Sequence, residues 1–75
     1  MTEMQKLMSN AVGFDVEVHI VGGYKPCVGK CTGFTQPLDN DPEVATIDVK
    51  VDGMSSVYEI TEEEIEKLII KSKAS

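Results

Sequence analysis

The chain has no arginine and no tryptophan, and only one histidine and two cysteines among its 75 residues. Each scarcity closes off a chemistry. His19, Cys27 and Cys31 are the only histidine and cysteine ligands, and no second ligand pair completes a zinc site. On a strand, Cys27 and Cys31 would face one side about 13 Å apart, at roughly 3.3 Å per residue, which is too far for a disulfide. They read as small core residues in the reduced form, with a redox or metal role as the alternative. No Gly-Lys-Ser/Thr phosphate loop is present, and the one histidine has no serine or cysteine nucleophile beside it, so catalysis is the least supported class. The acidic stretch 39–43 could hold a hard cation weakly, but it lacks the twelve-residue calcium-loop pattern. No cofactor is implied. No run of about 18 apolar residues exists to span a membrane. The first residues, MTEMQKLMSN, lack a basic region followed by an apolar stretch, so the expected location is cytoplasmic.

What is present is acid. Thirteen Asp and Glu face seven lysines, for a net charge of −6. The acids gather at Asp39, Asp41 and Glu43 and again at Glu62, Glu63, Glu64 and Glu66. A field of that sign repels phosphate overall, although a local basic face remains possible. The composition, 41% hydrophobic and 27% charged, is that of a globular chain. Its length allows one domain. A chain this short buries only roughly 60% of its unfolded surface, so partner subunits would add needed stability.

The apolar period then places the elements. Met4, Leu7 and Met8 fall at i, i+3, i+4, which predicts a helix over 2–10 capped by Thr2. The methionine stripe reads as core packing. From Phe14 the period becomes two: Phe14, Val16, Val18 and Ile20 alternate with polar residues, and His19 falls on the polar face. Gly22-Gly23 marks a turn. A second strand is expected from about Tyr24 to Phe34, with Pro26 near its start and glycines at 29 and 33 marking bends. Residues 36–42 read as a loop, Val44–Val51 as a third strand, Asp52-Gly53 as a turn, and Ser56–Ile60 as a fourth strand. The end is ambiguous. Thr61 and Glu64 fit a capping box, and Ile65, Leu68 and Ile69 have helical spacing. A single turn at 61–64 followed by a strand over 65–70 is preferred, because a fifth strand removes exposed edges.

These residues resemble a known family. Val16 to Asn40 is similar to the first Sm motif: the strand VEVHI, the turn Gly22-Gly23, and the GxxxGF spacing from Gly29 to Phe34. Val57–Ile60 followed by Ile65–Ile70 resembles the second motif in outline. The resemblance implies a single Sm-like domain: an N-terminal helix (2–10), a strongly bent five-stranded antiparallel SH3-like barrel (14–70) and a tail (71–75). It also implies a ring of about five to seven identical copies, the fourth strand of one pairing with the fifth of the next. Val57, Tyr58, Ile60, Ile65, Leu68 and Ile70 would then form the interface. The plainer alternative is that they pack a monomer's core.

Single-stranded RNA or DNA is the partner that the resemblance implies, held by Thr35, Asp39 and Asn40 at the pore-side loops, with Lys25, Lys30 and Lys50 as phosphate contacts. The chain departs from the family where it matters. Thr35 stands for the usual Asp, and Pro37 for the base-stacking aromatic. The motif asparagine falls on Asp39 or Asn40, and the second motif's Arg-Gly falls on Thr61-Glu62. Stacking and cationic contacts drive single-strand binding, so Asn40 is left as the residue able to read a base edge. The acid surplus and missing arginine favour a second class, a protein-interaction or structural module that binds no nucleic acid.

Overall fold

The computed structural model describes residues 2–39 and 43–73. Helix α1 spans Glu3–Asn10. Five strands follow: β1 (Phe14–Ile20), β2 (Cys27–Thr35), β3 (Thr46–Val51), β4 (Val57–Thr61) and β5 (Ile65–Lys73). Short 3-10 turns occupy Pro37–Asp39 and Glu62–Glu64.

The helix starts where the sequence places it. The Thr2 hydroxyl accepts from the Gln5 N–H at 3.0 Å, and Gln5 Oε1 accepts from the Thr2 N–H at 3.1 Å. This reciprocal box satisfies donors that a helix start leaves unpaired. Met8 is fully buried, and Met4 and Leu7 pack against the core. The methionine stripe is therefore the face that lies on β2 and β3.

All strand pairs are antiparallel, and the strand order is β4-β3-β2-β1-β5. The sheet is not closed, and β4 and β5 are its edges. Yet these edges are consecutive in the chain, joined only by Glu62–Glu64. A flat five-stranded sheet is about 19 Å across, at about 4.8 Å per strand spacing. Four extended residue steps reach at most about 14 Å, and a 3-10 turn reaches less. The sheet must therefore curl until its two edges approach each other. The turn is tied on both sides: Glu62 N–H donates to Ala45 C=O at 2.8 Å, and Val21 N–H donates to Glu64 C=O at 2.9 Å.

Gly29 permits the curl. A Cβ there would lie 2.0 Å from the Lys50 carbonyl oxygen, so only glycine lets β3 cross β2 this closely. A register shift between Cys31 and Gly33 adds a bulge to the same strand. One core collects Val16, Val18, Cys31, Ile47, Val49, Ile60, Ile65 and Leu68 from all five strands, closed by Met8, Ala11 and Ala45.

Several boundaries differ from the expected ones, and β4 lies one residue later, at Val57–Thr61. β2 begins at Cys27 rather than Tyr24, because Pro26 has no N–H to give the ladder. β3 begins at Thr46 rather than Val44. Residues 65–73 form a strand, and it runs past Ile70 to pair Lys73 with Phe14. The helical spacing at its start has a specific cause. Ile20 pairs with Ile65 and His19 with Lys67, so Glu66 is an inserted bulge residue. Ile65 and Leu68, three apart, thereby both face the core.

Candidate functional site

Of the six residues expected to meet nucleic acid, the five that are described do not form one cluster. Lys30 and Lys50 come together: they are direct partners across β2 and β3, both exposed, on the face opposite Cys31 and Val49. They line an open, mainly polar cleft of about 480 Å³ with Asp15, Asp52, Gly53 and Met54. Like charges directly opposite one another disfavour the pairing. Neither lysine belongs to the two ion pairs found among the described residues, His19–Glu17 and Lys71–Glu17.

Lys25 lies elsewhere. It borders a second groove of about 710 Å³, mostly apolar, with Tyr24, Tyr58, Cys27, Met54 and Ile60 along its walls. Tyr24 is 72% exposed and Tyr58 47%. Thr35 ends β2, half-buried and paired with Thr46. It stands five residues beyond Lys30, roughly 16 Å along the strand. Asp39 closes the 3-10 turn Pro37–Asp39, and Asn40 lies outside the described residues.

The connection that carries Thr35 and Asp39 adjoins the acidic turn through the Glu62–Ala45 bond. Two of that turn's carboxylates hold the fold. Glu62 accepts from the Thr2 hydroxyl and the Gln5 amide, each at 2.9 Å, and so fastens α1. Glu64 accepts from the Thr61 hydroxyl at 2.9 Å and the Thr61 N–H at 3.1 Å. Glu63 is exposed.

The residues expected at a subunit interface divide by burial. Val57 and Tyr58 are exposed, at 54% and 47%. Ile60, Ile65 and Leu68 belong to the core, and Ile70 packs against it. Any contact these four make with a second copy runs mainly through edge backbone.

Two features went unread in the sequence. The first is the tyrosine-lined groove, which depends on how the β1–β2 and β3–β4 connections fold toward each other. The second is a charged row on the outer face of β1 and β5. His19 Nε2 lies 2.6 Å from Glu17 Oε2, and Lys71 Nζ lies 3.6 Å from Glu17 Oε1. The His19 hydrogen bond, helped by Lys71 and opposed by partial burial, holds the Glu17 carboxyl below its ordinary value. No group of three or more His, Cys, Asp or Glu able to hold a metal occurs among the described residues. No helix among them is long and apolar enough to cross a membrane.

Both cysteines are free thiols. Burial pushes both thiols up, and Cys31 Sγ also donates to Gly33 C=O at 3.6 Å. A raised thiol pKa stabilises the fold fully below the ordinary thiol range, about pH 8.5, and that stabilisation is lost as pH rises past it. The thiolate is the reactive form. Native protein at neutral pH is therefore expected to react with Ellman's reagent at Cys27 slowly and at Cys31 only on unfolding. Two fast equivalents in the folded state would contradict this placement.

The chain has no significant match to a protein-family model, to a curated protein sequence or to a solved structure.

Proposed function

We propose that the chain is the subunit of an Sm-like ring that binds single-stranded nucleic acid. The observation that carries this reading is the strand order. β4 and β5 are the two edges of a strongly curled sheet, and each has one neighbour. These are the strands that the family resemblance pairs between subunits. An edge strand presents a row of unpaired N–H and C=O groups, which is a template for another strand. Pairing β4 with the β5 of the next copy is heterologous, and repeated rotation closes such contacts into a ring. The curled sheet capped by α1 is read here as the Sm-like barrel, and the exposed Val57 and Tyr58 gain cover in the assembly.

The Lys30–Lys50 pair supports the nucleic-acid part, because two ammonium groups side by side, outside the ion pairs found among the described residues, suit a phosphate backbone even with Asp15 across from Lys30. One observation favours a second reading, a protein-interaction module. The apolar groove is larger than the lysine cleft, and the chain's net charge is −6.

Native molar mass by light scattering comes first, at low and high salt. A stable multiple of about five to seven subunits is expected. Titration with U-rich and A-rich single strands follows, on wild type, Asn40→Ala and Lys30→Ala/Lys50→Ala. Loss of each phosphate contact should flatten the salt dependence by about 0.7 in log–log slope. An 8.2 kDa species at all concentrations would overturn the ring. A ring that ignores both strands would favour the interaction module.

A further inference from the structure

The outer face of the sheet is not evenly charged, and its asymmetry falls on the two edges. On β4, Glu59 is exposed and directly opposite Asp48 of β3. Two carboxylates face each other there, an arrangement that disfavours the pair. Neither belongs to an ion pair among the described residues. On β5, the outer face carries Lys67 and Lys71, both exposed. Lys67 pairs across with His19, and Lys71 reaches Glu17 at 3.6 Å. Glu66 sits in the bulge beside Lys67.

Resting on the ring reading above, we infer that these edges recognise each other by charge: Glu59, beside Asp48, takes Lys67 or Lys71 of the neighbouring copy. Face matching leads there. Tyr58 lies on the inward face with Val49 and Ile60, and so must align with Leu68 and Ile70 on β5. Glu59 is then opposite Lys67, Ile69 or Lys71, since residues directly opposite share a face. If it meets Ile69, both lysines are diagonal neighbours within reach of long side chains. Each of these three registers, which seat Tyr58 and Ile60 against Leu68 and Ile70, gives Glu59 a lysine. The same charges set β4 against another β4, and the lysines of β5 against those of another β5, which disfavours symmetric pairing of like edges.

The test is a charge swap read by native mass, with folding checked by circular dichroism. Glu59→Lys is expected to raise the half-assembly concentration by about tenfold or more. Glu59→Lys/Lys67→Glu or Glu59→Lys/Lys71→Glu should restore it, and the pair that rescues identifies the register. Wild-type assembly should also weaken with salt, as exposed charge pairs do. A wild type that assembles while folded Glu59→Lys assembles equally well overturns this inference and leaves the ring standing. Loss of assembly that neither swap rescues overturns it too. A monomeric wild type removes the ring and this inference together.

Discussion

Gly29→Ala is expected to cost about 3 kcal/mol or more, the upper end of what a single added methyl costs in a packed interior. The reason is that the clash is with backbone. The new Cβ would lie 2.0 Å from the Lys50 carbonyl oxygen, 2.8 Å from its carbon and 2.9 Å from Val51 Cα. No side chain can turn aside to make room, so β2 and β3 must separate where both are curving. A domain of this length has about 4–11 kcal/mol of stability in all, at about 0.05–0.15 kcal/mol per residue. The melting temperature should fall by about 12 °C or more, at about 4–8 °C per kcal/mol. Gly33→Ala is the control. Its Cβ would meet Asp48 Oδ2 at 3.1 Å, the end of a side chain that can shift. That variant should lose about 1 kcal/mol or less, within the ordinary range for single substitutions. Equal melting temperatures for the two variants would mean that β2 and β3 do not approach this closely.

Met8→Ala should be the next largest effect, at about 2–4 kcal/mol, combining lost burial with the cavity left behind. Met8 is fully buried at the centre of the face that α1 lays on β2 and β3. Met4, one turn earlier, is only partly buried against the same core. Met4→Ala should therefore cost less than half as much. Urea unfolding separates the two, since the midpoint reports stability while the slope reports exposed area. Comparable midpoints would show that the helix does not seal the core. If the protein assembles, each midpoint rises with protein concentration, so the comparison is made at one concentration.

Period alone is enough to read α1, β1 and β3, because in each the inward face is buried and the outward one is left at least partly open. It failed where the ladder is irregular. The bulge at Glu66 puts Ile65 and Leu68 on one face, and a period of three to four in isolation looks like a helix. β2 starts three residues later than the turn at Gly22-Gly23 suggests, because Pro26 has no N–H to give the ladder. The candidate site was less legible still. Lys30 and Lys50 are twenty residues apart, and nothing local says that they oppose each other; only the β2–β3 register does. Glu59 and Lys67 likewise gain meaning only once β4 and β5 are known to be edges. Glu62 stands in a run of three glutamates, and no spacing rule shows that it holds the start of α1.

The pairing of β1 with β5 sets the order in which the fold can form. Hairpins β1–β2, β2–β3 and β3–β4 join neighbours in sequence, so each closes a short loop. β1 and β5 join residues 14–20 to residues 65–73, nearly the full span of the domain. Such a contact is slow to find, because the chain between its ends must be organised first. Until it forms, β1 has one neighbour, Val16 and Val18 lack the cover of Leu68 and Ile70, and the core is open along its length. The last strand is therefore the step that completes the domain, and a chain stopped before Ile65 would hold a half-built sheet with its most regular apolar strand at the rim.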